Sequence, residues 1–140
     1  MAREELKRRE HQGLSQRHRT WGEQVPATDV DLFLIEYDFR RAVALIEYKD
    51  DSPRPLSYSE RTSMAAIRDV GDRARLPFYL VRYRARDWTF IVHAENPLAH
   101  ETLPDVLGRR LSELEYVEFL YRLRGREVPD IVVPNLSRVA

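Results

Sequence analysis

The chain has 140 residues, balanced basic and acidic side chains giving a net charge of zero, and no cysteine. That length suits one domain (residues 1–140) with a core of its own, and the missing cysteines exclude disulfides and thiolate metal sites. Any affinity for nucleic acid has to come from a local patch rather than from overall charge. No apolar run is long enough for a membrane helix, and the opening M-A-R-E-E-L-K-R-R-E-H-Q does not read as a secretory signal, so a cytoplasmic protein with no membrane partner is expected.

Residues 1–17 read as a charged N-terminal arm or a loosely packed first helix, because Leu6 and Leu14 are too sparse to dock a helix firmly. The core is expected over about residues 18–125, followed by a tail at 126–140. Thr20 to Thr28 carries Trp21, Gly22 and Pro26 and reads as a loop or a short irregular strand. Two near-continuous apolar runs, Val30 to Tyr37 and Ala42 to Lys49, are predicted strands of an antiparallel hairpin turning through Asp38 to Arg41. The D-D-S-P-R-P stretch from Asp50 ends the pairing, since proline cannot continue a ladder.

Ser57-Tyr-Ser-Glu60 is a capping box that opens a predicted helix to about Arg75, with Met64, Ile67, Val70 and Ala74 on its inner face. Phe78 to Arg84 and Trp88 to Ala94 are two more predicted strands, joined at Ala85 to Asp87. In the first, Tyr79, Val81 and Tyr83 share one face, with Arg82 and Arg84 on the other. A second capping box, Ser112 to Glu115, opens a helix with a stripe of Leu114, Val117, Leu120 and Tyr121 that stops at Gly125.

The chemistry concentrates in the first hairpin. Asp29 and Asp31 open one strand, and Glu47-Tyr48-Lys49 closes its partner. Alternation puts Glu47 and Lys49 on one face, with Cα atoms about 7 Å apart. If Asp31 lies opposite Glu47, the two carboxylates hold one hard cation, with water and the Tyr48 backbone carbonyl completing the shell. The turn is ambiguous by one residue, and a slip of one would send the aspartates to the other face. Lys49 is one of two lysines, with Lys7, in a chain whose other cations are arginines.

This hairpin resembles the core of the PD-(D/E)xK nuclease superfamily, the restriction-endonuclease-like and Holliday-junction-resolvase-like enzymes. Asp31 matches the first-motif aspartate, and Glu47 and Lys49 match the E-x-K after a gap of 15 residues. The resemblance covers about Thr20 to Glu95. It implies an α/β (α+β) fold with an α-β-β-β-α-β core and a mixed sheet flanked by helices. It also implies magnesium-dependent hydrolysis of DNA by metal-activated water, with manganese able to substitute. From size alone, a domain this small has little room for a recognition module, so a homodimer or partner protein is expected to supply specificity. Asp31 and Glu47 would be ligands and Lys49 the catalytic cation. Asp29 and either Glu23 or Glu10 would be weaker acidic additions, and Arg61 and Arg68 would face phosphates. Val30 stands where relatives carry proline, and no Q-x-x-x-Y follows the E-x-K. The alternatives are a non-catalytic nucleic-acid-binding or adaptor protein on the same fold, or an ordinary strand end with a solvated ion pair.

Overall fold

The computed structural model describes residues 13, 14, 16, 17, 19–21, 24 and 26–138. Strands β1 (Leu32–Glu36) and β2 (Arg41–Asp50) form an antiparallel hairpin. Helix α1 (Tyr58–Ala74) then crosses over one face and returns the chain to β3 (Phe78–Arg84), which runs parallel to β2. Strand β4 (Thr89–Ala94) pairs antiparallel with β3. The short α2 (Pro97–Thr102), the two-residue β5 (Arg110–Leu111) and α3 (Glu113–Leu123) complete the fold. The mixed five-stranded sheet has the order β1-β2-β3-β4-β5.

Helices cover both faces because the central strands are apolar on both. Leu45, Phe78 and Leu80 pack against Met64 and Ile67 of α1. On the opposite face Ala44, Ile46, Tyr79, Val81 and Val92 meet Ala99 of α2 and Tyr116 and Phe119 of α3. Along β2 the alternation therefore sends Leu45, Glu47 and Lys49 toward α1, and Ala44, Ile46 and Tyr48 toward α3.

Both capping boxes form as expected, at Ser57/Glu60 and Ser112/Glu115. Four expectations change. Two strands, not three, precede α1 among the described residues, and residues 26–30 adopt no regular structure. Val70 is exposed, and the buried stripe of α1 runs Met64, Ile67, Gly71 instead. A Cβ at Gly71 would lie 3.1 Å from both the Asn96 amide nitrogen and the Leu76 carbonyl, so the helix approaches the sheet here through glycine. In α3 the fully buried residues are Tyr116 and Phe119, with Leu120 and Leu123 packed beside them, rather than the expected stripe.

The fourth concerns α2, a helix absent from the sequence reading although Asn96-Pro97 carries the N-cap and N1 signal for one. Asn96 is buried and makes three hydrogen bonds: its Oδ1 accepts the Phe78 and Ala99 N–H groups at 3.0 Å each, and its Nδ2 donates to the Leu76 carbonyl at 2.9 Å. It ties α1, β3 and α2 at one point. Asn96→Ala removes a cap and strands two buried N–H groups, so urea unfolding should show a loss of about 2–4 kcal/mol. Asn96→Asp, which keeps the acceptor, should lose less.

Candidate active site

The hairpin register decides whether the acidic residues meet. Ile35 pairs with Ala42 but Leu34 pairs with Ala44, so Val43 is an extra residue on β2. Without that bulge Asp31 would face Ile46 and point toward α3; with it, the pairing extends to set Asp31 opposite Glu47 on the α1 face. The contact is direct. The Asp31 N–H donates to Glu47 Oε1 at 3.0 Å, and the Tyr48 N–H donates to Asp31 Oδ2 at 2.9 Å. Side-chain oxygens here replace the backbone ladder at the strand end.

Glu47 is 7% exposed, and burial pushes its carboxyl above the usual carboxylate range. The Asp31 N–H and the Lys49 charge act in the opposite sense, while the Asp31 carboxylate and a carboxyl–carboxyl hydrogen bond push it further up. A buried carboxyl beside a second carboxylate gains from a nearby counter-charge. Lys49 lies on the same face, and its Nζ meets Glu60 Oε2 at 2.8 Å. Glu60 is the closing residue of the α1 capping box, its Oε1 accepting the Ser57 N–H at 3.0 Å. Lys49 and the Ser57 amide hold the Glu60 carboxyl at about 2.

Of the weaker expectations, Asp29 is exposed and makes no side-chain contact with the pair, so Asp31 is the aspartate engaged with Glu47. Glu23 and Glu10 lie outside the described residues. Arg61 is exposed in the first turn of α1. Arg68 is not free to face phosphate beside the carboxylates. Its Nε and Nη2 bind the carbonyl and carboxylate of Glu95 at 2.6 and 3.0 Å, at the far end of the sheet from Lys49. Asp51, just past the end of β2, pairs with Arg110.

Two residues join the site that sequence reasoning did not place there. Glu60 was visible only as a helix cap, since its reach to Lys49 depends on the return path of the Asp51–Leu56 loop. Arg82 sits in register with Lys49 on the neighbouring strand, with Nη1 on the Asp50 carbonyl at 3.1 Å and no carboxylate partner among the described residues. Among those residues no group of three or more histidine, aspartate, glutamate or cysteine side chains gathers to hold a metal. No helix among them is long and apolar enough to cross a membrane. Comparison with known proteins gives no matching family model, no matching curated protein and no matching solved structure.

The arrangement has a stability signature. A carboxyl raised by folding binds more protons in the native than in the unfolded state, so it lowers stability as pH rises from its ordinary 4.5 through its raised value. Glu60 works the other way: its contribution is present above 4.5 and is lost as pH falls toward 2. Glu47→Gln keeps an acceptor for the Asp31 N–H and turns the carboxylate repulsion into an amide–carboxylate hydrogen bond. Its metal-free melting temperature at neutral pH should rise by about 2–8 °C, equivalent to ~1 kcal/mol. The Glu47-linked decline above pH 4.5 should vanish in a calorimetric pH series.

Proposed function

We propose that the protein is a magnesium-dependent nuclease that hydrolyses DNA phosphodiester bonds. One observation carries this reading: Asp31 and Glu47 are pressed together with Lys49 on the same face, at the end of the sheet. The donor set fits a hard cation, because Glu47 is buried beside a second carboxylate and gains most from a counter-charge. Two carboxylates with water, the Tyr48 carbonyl and a substrate phosphate match the way magnesium is usually held. Manganese suits the same oxygen donors. When bound, such a cation polarises the phosphate and lowers the pKa of a coordinated water.

The protein's own groups divide the remaining work. Asp31 and Glu47 repel phosphate until their charge is offset, which makes productive binding depend on the cation. Lys49 directs its ammonium at the attacking water and offsets negative charge growing on the phosphate oxygens. Glu60, fixed by the capping box, holds that ammonium at the mouth of the site and so positions it. Arg82 offers its unpaired N–H groups to a phosphate oxygen on the flank.

The Lys49–Glu60 pair also favours a second reading, in which an adaptor on this fold binds nucleic acid without cutting it, since the ammonium is satisfied without substrate. DNA binding indifferent to magnesium and to Lys49→Ala would select that reading. The deciding experiment is cleavage of labelled linear, nicked, branched and single-stranded DNA in magnesium, manganese and EDTA. We expect metal-dependent cutting, reduced about 10²–10³-fold in kcat by Lys49→Ala. Glu60→Gln keeps the cap and loses the charge, and is expected to reduce kcat about tenfold with KM little changed. Absence of cutting by folded protein, with no heat of metal binding, would overturn the nuclease reading.

A further inference from the structure

On the other face of the same strand end lies an aromatic cleft of about 530 Å³, lined by Tyr48, Tyr83, Trp88, Phe90, Tyr116 and Glu113. Its floor is ordered. Phe90 and Tyr116 stack with centroids 4.2 Å apart, and the Tyr48 and Tyr116 hydroxyls meet at 2.6 Å. Tyr83 stands edge-on to Tyr48 at 6.3 Å. Trp88 is half exposed and has φ of 51°, a left-handed conformation that a turn usually gives to glycine or asparagine. The turn is held there by Asp87, which receives Arg84 Nε and Nη2 and the Thr89 hydroxyl. Arg40 and Arg75 share that conformation, but each is a charged side chain, and Trp88 alone of the three spends it on an exposed ring.

We propose that this cleft takes an unpaired nucleobase, and that the substrate is therefore a single-stranded or locally unpaired strand. The proposal rests on the nuclease reading above for the strand that brings the base. Tyr48 links the two places: its neighbours Glu47 and Lys49 project to one side of the sheet while its own ring projects to the other. A strand passing over the sheet end presents a phosphate to the carboxylates and a nearby base to the rings. Free aromatic faces bind bases by stacking irrespective of sequence. The Glu113 carboxylate repels phosphate and accepts N–H donors. One of its oxygens takes the Ser137 N–H at 3.3 Å, which leaves the other for an exocyclic amino group of a base. A duplex keeps its bases stacked away from such a cleft, so strandedness is the discriminating variable.

The test uses Lys49→Ala protein in magnesium, so that strands stay intact, with Trp21→Phe to leave Trp88 as the fluorophore. A labelled single strand, its duplex, and the single strand with one abasic position moved along it are titrated. The single strand should bind tighter than the duplex and quench Trp88, with affinity lost when the abasic position falls at one particular place. Trp88→Gly suits the left-handed backbone, so a retained melting temperature will show the fold intact. It should weaken single-strand binding, read by anisotropy, about 5- to 100-fold and leave duplex binding unchanged. Equal affinity for both forms, no quenching and no effect of Trp88→Gly would overturn the cleft. Quenching and Trp88 dependence in a protein that cuts nothing in any metal would sustain the cleft and sink the nuclease. Metal-dependent cutting indifferent to Trp88→Gly and to strandedness would do the reverse.

Discussion

A single extra residue, Val43, decides which side chains meet at the end of the sheet. Strand side chains alternate with a period of two, so one residue of register separates an Asp31–Glu47 pair from an Asp31–Ile46 mismatch on opposite faces. The bulge sits between the turn and the site, which lets the turn adopt its own geometry, with Arg40 left-handed, while the strand end stays in phase. Everything at the sheet end inherits that phase. Glu47 and Lys49 project toward α1, the Ser57 cap brings Glu60 to Lys49, and Tyr48 is released toward α3.

Electrostatics elsewhere insulates this end. Much of the arginine among the described residues is spent within the fold. Arg126 and Arg124 hold the buried Glu36 at 2.6 and 3.3 Å, and the Arg126 hydrogen bond, with help from Arg124, draws its carboxyl down to about 2. Arg122 grips Asp105 through both Nη atoms, and Arg84 grips Asp87 likewise with two nitrogens. Such planar pairs use the guanidinium fork more fully than lysine could. They explain how zero net charge coexists with many cations. The Asp31–Glu47 pair stands apart, because two acids meet with their nearest cation already engaged by a third. The buried Glu47 carboxyl beside a second acid therefore lowers fold stability rather than adding to it.

Much of this was legible in the amino-acid order. Both capping boxes, the two hairpins and the Gly125 stop are local signals that tertiary packing had no reason to override. The Asp31, Glu47 and Lys49 cluster was legible as a set but not as a geometry, since its face depended on a bulge that apolar runs like V-A-L-I do not announce. Asn96-Pro97 is a local helix signal, but the helix it opens has only six residues and carries little periodicity. Arg68 looked like a surface cation because nothing near it in sequence reveals Glu95, brought up by β4. Tyr116 and Phe119 were displaced from the expected stripe by aliphatic neighbours with better helical spacing.

Asp31, Glu47, Lys49 and Glu60 fall within one continuous segment, spanning the first hairpin and the first turn of the helix after it. The contacts among them are short in sequence separation, and closing such loops costs little chain entropy. The Glu36–Arg126 clasp spans 90 residues and joins the start of the sheet to the tail. Assembly of the acidic cluster thus needs only local closure, whereas the clasp awaits nearly the whole chain. A nascent chain emerging from the ribosome would carry its repelling carboxylates into place well before the distant arginine that steadies the hairpin from its other end.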